Sequence, residues 1–171
     1  TDAAAGGSGV FSTTANITSN ANGDTATDDF VFGSSQLGDV TTATNDDSRM
    51  FFDKSKQAFR AGGASNSQWD DANVGSNSIV LGNNSIANNT SAVSIGEGNI
   101  ASGAAAITAG TNLTAESFGQ TSFGTYNTRV TGDATQFVET DRLFVIGNGT
   151  NPDEAFRAVG FSDALVMLKN G

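Results

Sequence analysis

The chain has 171 residues, with eight Lys and Arg against eighteen Asp and Glu, a net charge of −10, no His and no Cys. The missing residue types exclude an imidazole base, a thiolate nucleophile, a disulfide and any His- or Cys-ligated metal. The negative charge repels phosphate backbones and anionic lipid headgroups. We therefore expect no nucleic-acid partner and no membrane insertion.

The N-terminal third of the chain divides into a connector and a cap. Residues 1–27 are rich in small residues without alternation of apolar and polar positions, which predicts an irregular or extended connector. Residues 28–74 are expected to form an N-terminal β-hairpin or cap region. Within it, 28–35 predicts a short strand and 48–62 predicts a hairpin that turns near Lys54 and Ser55.

One cluster in this cap region has residues suited to sugar binding. Trp69, the only Trp, stands beside Asp70 and Asp71. Two carboxylates at a fixed separation are sufficient to hydrolyse a glycosidic bond, and an indole ring stacks on sugars. The interpretation we favour is that Trp69 closes the base of the following repeat and that both Asp residues are solvated in turns. The three residues remain candidate ligand contacts.

A second acidic group has the chemistry of a calcium site without its spacing. Asp39, Asp46 and Asp47 offer hard oxygen ligands. They do not form the Asp-x-Asp-x-Asp-Gly loop, so a surface acidic loop is favoured. We expect no bound metal, no cofactor and no catalytic residue.

Residues 75–130 contain a repeat with a period of fourteen. Glycine, alanine and several apolar residues each recur at this interval without slippage. Low-complexity sequence would not keep so many positions in phase, so the period predicts a repeated structural unit. The repeat columns are Gly82, Gly96, Gly110 and Gly124; Ala87, Ala101 and Ala115; Ile79, Val93 and Ile107; Leu81 and Ile95; and Ile86 and Ile100.

Each unit has the pattern of two short strands. Apolar and small polar residues alternate over residues 91–95, which predicts a strand whose buried face carries Val93 and Ile95. A Gly- and Asn-containing turn follows, and a second strand is expected around Ile100. Stacked units would form a parallel β-solenoid with strands about 4.8 Å apart. The glycine column predicts a close backbone approach, and the alanine column predicts a position without room for a longer side chain.

Residues 131–171 predict a C-terminal β-hairpin region. The segments 141–149 and 162–171 are apolar and are bounded by Gly and Asn turns. The flanks would cap the solenoid, which needs irregular or polar ends to remain soluble. Four coils of this size enclose few large side chains, so we expect a remaining apolar or small face to pack against other subunits.

The repeat resembles a known family. Residues 91–96 followed by 99–101 are similar to the head repeats of trimeric autotransporter adhesins, which form the YadA-like left-handed parallel β-roll. The resemblance covers about 50 residues and implies that three chains assemble side by side into an intertwined homotrimer. The fourth unit departs from the pattern at 120–123 and at Arg129, so the roll is expected to fray or end there.

The flanks resemble a second group of proteins. Residues 143–150 and 164–171 are similar to segments near such rolls in surface proteins of Bacteroidetes and in phage fibres. In those proteins an endosialidase-type intramolecular chaperone commonly follows, trimerises the chain and is released. The resemblance implies that such a chaperone would begin where this chain stops.

Together these features predict an all-β protein: a left-handed parallel β-roll of 14-residue coils, flanked by β-hairpins and assembled as a homotrimer. The leading expectation is an adhesive fibre or head at a cell surface or virion, binding a surface glycan or receptor and other fibre subunits. The alternative is a phage tail or head fibre subunit used in host attachment. A polysaccharide depolymerase with carboxylates between subunits is third, and we expect no enzymatic activity.

Overall fold

The computed structural model describes residues 11–14, 17–20, 30–33, 49–151 and 160–171. In this part the chain forms β-strands and two short 3-10 turns, Ser67–Trp69 and Asp71–Asn73, so the prediction of an all-β protein is confirmed. The strands are β1 Phe11–Thr14, β2 Ile17–Asn20, β3 Phe30–Gly33, β4 Arg49–Asp53, β5 Ala58–Gly63, β6 Ile79–Asn83, β7 Ile86–Ala87, β8 Val93–Glu97, β9 Ile100–Ala101, β10 Ile107–Thr111, β11 Thr114–Ala115, β12 Thr121–Thr125, β13 Arg142–Asn148 and β14 Asp163–Leu168.

The 14-residue period is the step between parallel strands. Strands β6, β8, β10 and β12 pair in parallel, with Ile79 opposite Val93, Val93 opposite Ile107 and Ile107 opposite Thr121. The short strands β7, β9 and β11 form a second parallel sheet with the same step. Each of the first three repeats therefore contributes one strand to each of two sheets, as the two-strand pattern of the unit predicts, and the fourth contributes β12 to the larger sheet.

The parallel ladder extends past both ends of the repeat. Strand β5 pairs in parallel with β6, and β13 pairs in parallel with β12. Antiparallel strands complete the nine-stranded sheet, β3 and β4 at one edge and β14 at the other. The fourth unit, where the roll was expected to fray or end, does not fray in the large sheet, because β12 pairs with both neighbours from Thr121 to Thr125. Among the described residues, the smaller sheet does end before this unit, at β11.

Two predictions concern the N-terminal flank. The hairpin turn near Lys54 and Ser55 is confirmed between β4 and β5, where the Asp53 carboxylate accepts hydrogen bonds from Ser55 Oγ at 2.6 Å and from Lys56 N at 3.0 Å. The connector predicted for 1–27 as irregular or extended is extended at β1 and β2, and these strands pair antiparallel, which was not predicted from the sequence. Thr and Ile favour extended backbone, and only two residues join these strands, so their pairing is local.

The interior of the coils is lined by the second residue of each five-residue strand β6, β8, β10 and β12. The prediction that Val93 and Ile95 form the buried face is wrong: Ser94, between them, is buried, whereas Ile95 is exposed. The two sheets lie so close that a hydroxyl side chain fills the space, and Thr108 Oγ1 donates to Ser94 Oγ at 2.9 Å. The buried inner column consists of Arg60, Val80, Ser94, Thr108, Ser122 and Val145.

The alanine column lies inside the coil, as its small size predicts. Ala87, Ala101 and Ala115 are fully buried, and Ala92 and Ala106 fill the same hydrophobic core. A longer side chain at these positions would push the two sheets apart and disturb every hydrogen bond of the coil. The narrow cross-section is therefore a property of the residue types themselves.

The glycine column is a line of close backbone contacts. The φ angle is +133° at Gly82, +113° at Gly96 and +145° at Gly110, in the region that favours glycine. A Cβ atom on Gly96 would lie 2.0 Å from the carbonyl oxygen of Gly110. The column also includes Gly62 and Gly147, which pair with Gly82 and Gly124 but fall outside the 14-residue period.

We predict that Gly96→Val destabilises the fold by about 3 kcal/mol or more, since it combines an unfavourable φ angle with a backbone clash. Glu97→Val is the matched control, because Glu97 is exposed at the end of β8 and its side chain meets no such restriction. Thermal unfolding of the two variants checks this. Equal melting temperatures would contradict the role of the glycine column.

Candidate interaction surface

Large apolar side chains lie on the outer side of the nine-stranded sheet, opposite the inner column. They occupy two columns that alternate with it along each strand. We call this surface the outer apolar face. Its first column is Phe59, Ile79, Val93, Ile107, Thr121 and Phe144, and its second column is Ala61, Leu81, Ile95, Ala109, Phe123 and Ile146.

The composition of this face is that of a contact surface. Ile95 and Phe123 are each 41% exposed, and the rings of Phe123 and Phe144 are 6.0 Å apart. No member is charged, and Thr121 is its only polar residue. Monomeric proteins rarely expose a continuous apolar strip, and the centre of a protein interface is depleted in charge and enriched in aromatic residues.

Strand β14 extends the outer apolar face and also carries an exposed apolar side chain on the opposite side of the sheet. Leu165 and Met167 pair opposite Ile146 and Phe144, so they extend the outer apolar face. Val166 pairs opposite the buried Val145, so it points to the inner side of the sheet, yet it is exposed like its neighbours. The strand therefore presents apolar side chains on both sides of the sheet.

The candidate sugar-binding cluster has a different arrangement. Trp69 is buried, its ring lies edge-on to Phe51 at 5.9 Å, and its Nε1 donates to the carbonyl oxygen of Ser85 at 3.3 Å. The ring is thus not available to stack on a sugar. Asp71 is exposed and forms an ion pair with Lys56 at 2.6 Å. Asp70 is half-buried at the end of the first 3-10 turn.

The other candidate residues from the sequence do not form a binding site among the described residues. The remaining repeat residues Ile86 and Ile100 are half-buried on the smaller sheet. The acidic residues Asp39, Asp46 and Asp47 lie outside the described residues. In the part of the chain that is described, no group of three acidic side chains is placed to hold a metal ion.

Arg60 is a charged residue that the sequence analysis did not single out. Its guanidinium is fully buried in the first coil and donates to Ser78 Oγ at 2.8 Å and to the carbonyl oxygen of Ala87 at 3.1 Å, while Nε has no hydrogen-bond partner in the part of the chain that is described. Burial lowers the pKa of Arg60 to about 10, and the charge of Asp53 opposes this shift. At neutral pH the side chain is still a cation, so the coil contains a buried charge.

We predict that Arg60→Met raises the free energy of unfolding by about 1 kcal/mol, because it removes a buried charge and keeps most of the side-chain volume. The carbonyl oxygen of Ser78 stays satisfied by the N–H of Phe59, at 2.9 Å. That of Ala87 likewise accepts the N–H of Gly75.

Arg60→Ala is the contrasting variant. It leaves a cavity, so we expect it to destabilise the chain by about 2–3 kcal/mol. Urea unfolding of both variants measures the two effects. A large loss of stability in Arg60→Met would show instead that the guanidinium hydrogen bonds hold the first coil together.

The comparisons with known proteins give no relative. No protein-family model matches the chain, and searches of curated proteins and of solved structures find no match. Within the described ranges, none of the helical segments has the length and apolar character needed to cross a membrane. The function must therefore be inferred from the chain's own residues, above all from the outer apolar face.

Proposed function

We propose that this chain is one subunit of a homotrimeric, extracellular attachment fibre or head. In this proposal the coils form a left-handed parallel β-roll, and the outer apolar face lies between subunits. The observation that carries the proposal is the placement of large apolar residues such as Ile95 and Phe123, which lie on the outer side of the nine-stranded sheet, while Ser94, Thr108 and Ser122 lie on its inner side. Among the described residues of one subunit, six of these apolar side chains remain 36–41% exposed.

The size of the hydrophobic contribution supports association. Six large side chains of the outer apolar face are 36–41% exposed, and covering each contributes about 1 kcal/mol. Because every subunit contributes such a strip, the total is comparable with the roughly 4–15 kcal/mol that association costs. These six residues are Ile79, Leu81, Ile95, Ile107, Phe123 and Ile146.

Strand β14 supports three subunits rather than two. Leu165 and Val166 point to opposite sides of the sheet and both are exposed, so covering the strand requires contacts on two sides. A subunit that uses two different surfaces makes heterologous contacts with two neighbours. The smallest closed ring that satisfies this condition has three members.

Two features of the coils support an attachment role: their stiffness and the regular spacing of their turns. A stack of parallel coils is a stiff support, and its turns repeat at regular intervals along the axis. Binding through many weak contacts, multiplied by three subunits, gives strength through avidity.

A fibre subunit of a phage is the alternative, favoured by the C-terminal resemblance. A depolymerase has less support because the ring of Trp69 is buried.

We predict that the purified chain sediments as a trimer, with three times the 17.4 kDa mass of one chain. Ile95→Asp places a charge in the centre of the outer apolar face and should shift the equilibrium to smaller species. Thr90→Asp is the matched control, since Thr90 is exposed in the turn before β8. A folded wild-type monomer at micromolar concentration would contradict the proposed assembly.

The same variants test the attachment role. On an array of bacterial and host glycans, a wild-type trimer should be retained about 100-fold more strongly than Ile95→Asp, because avidity is lost with the trimer. Thr90→Asp should bind like the wild type. Absence of binding to any glycan or whole-cell surface by a confirmed trimer would reject attachment and leave only the assembly.

A further inference from the structure

Lys169 follows β14 and has an unusual environment. Its side chain is 0% exposed, and Nζ has no hydrogen-bond partner among the described residues. Nζ lies 5.9 Å from the ring centre of Phe118 and 5.3 Å from that of Phe137. The nearest carboxylate oxygen is Asp141 Oδ2, at 3.8 Å.

This arrangement is a poor ion pair. An ammonium group has three N–H donors, and a buried one normally uses them all. Here the carboxylate of Asp141 is too distant for a hydrogen bond, the charge of Asp133 acts from farther away, and the two aromatic rings satisfy the ammonium only in part. A buried cation with no hydrogen bond is costly, so a reaction that removes the charge of Lys169 and of Asp141 together would be favourable.

We propose that Lys169 Nζ and Asp141 Cγ join in an intramolecular isopeptide bond. The inference is independent of the proposed attachment function, because it concerns only groups within one chain. It assigns a role to a buried amine that neither the coils nor the outer apolar face uses.

The carboxyl group of Asp141 is held for attack. Its Oδ2 accepts the backbone N–H of Asp133 at 2.8 Å. That N–H is fixed in turn, because the Asp133 carboxylate accepts the N–H groups of Thr135 and Gln136, each at 2.9 Å. A backbone donor on this oxygen stabilises the negative charge that develops there when a nucleophile adds to the carbonyl carbon.

The reaction needs no other reagent. The ammonium of Lys169 transfers one proton to the Asp141 carboxylate, which leaves a neutral amine beside a neutral carboxylic acid. The nitrogen lone pair adds to Cγ, and the second electron pair of the Cγ–Oδ2 double bond moves to Oδ2. The Asp133 N–H donates to this negatively charged oxygen. The nitrogen then gives a second proton to the protonated oxygen Oδ1, and the Cγ–Oδ1 bond breaks. The ammonium and carboxylate thus become an amide and one water molecule, with no oxidation or reduction.

The bond would fasten the C-terminal hairpin. Asp141 directly precedes β13, and Lys169 directly follows β14, so the amide would close these two strands into a covalent ring. The backbone already places the two ends together, since Lys169 N donates to the carbonyl oxygen of Asp141 at 3.0 Å. In a chain without Cys, such an amide would provide the covalent constraint that a disulfide provides elsewhere.

Intact mass spectrometry of the purified, folded chain tests the proposal. The wild type should be lighter than its sequence mass by one water molecule. Lys169→Arg and Asp141→Ala should both have their full sequence masses, because each lacks one reacting group. Lys56→Arg is the control: Lys56 pairs with the exposed Asp71, and this variant should still lose water.

Peptide mapping locates the bond even if a variant fails to fold. Trypsin should leave Lys169 uncleaved in the wild type and yield a branched peptide that joins residues 130–142 to 158–171. A wild-type chain of full sequence mass, with cleavage at Lys169, would show that the contact is only an ion pair and would overturn the proposal. Loss of water that persists in Lys169→Arg would also overturn it, because it would assign the dehydration to another residue.

Discussion

The whole structure depends on two close approaches: that of the backbone of one coil to the backbone of the next coil, and that of one sheet to the opposite sheet. At Gly96 a single added carbon would lie 2.0 Å from a carbonyl oxygen of the following coil. In the middle of the repeat, the buried inner column of the nine-stranded sheet consists of Ser94, Thr108 and Ser122. The large apolar residues at the alternating positions of these strands lie on the outside, whereas larger buried side chains, such as Arg60 and Leu113, lie elsewhere in the coils.

This constraint links the sequence to assembly. In most domains the apolar side chains face inward, and the folding of one chain is sufficient to cover them. Here Ile95 and Phe123 face outward beside uncharged neighbours, so the described part of the folded chain leaves an exposed apolar strip, which we propose other subunits cover. The same chain is acidic, with a net charge of −10, and yet it places no charge on this strip. Stability of the fold and association of the chains are therefore expected to be coupled.

The sequence was sufficient for the period and for the parallel stacking, because fourteen-residue columns such as Gly82 to Gly124 record the step of the coil directly. It was not sufficient for the direction of the side chains. Alternation shows that Val93 and Ser94 point to opposite faces, but which face is interior depends on the width of the coil, a tertiary property. Gly62 and Gly147 could not be assigned to the glycine column from the period, because longer insertions separate them from the repeat. The burial of Arg60 could not be predicted either, because it depends on the pairing of β5 with β6, which places Arg60 opposite Val80. The contact between Lys169 and Asp141 arises from the hairpin and has no local signal.

Thiol labelling of a single cysteine tests the central claim most directly, because the native chain contains no Cys. A cysteine placed at Ile95 reports on the outer apolar face, and one at Thr90 reports on an exposed turn of the same repeat. If the face is covered by neighbouring subunits, Ile95→Cys should react with a thiol reagent at least about 100-fold more slowly than Thr90→Cys, and at an equal rate after denaturation. Equally rapid labelling of both cysteines in the folded protein would show that the outer apolar face is open to solvent, and would contradict the account.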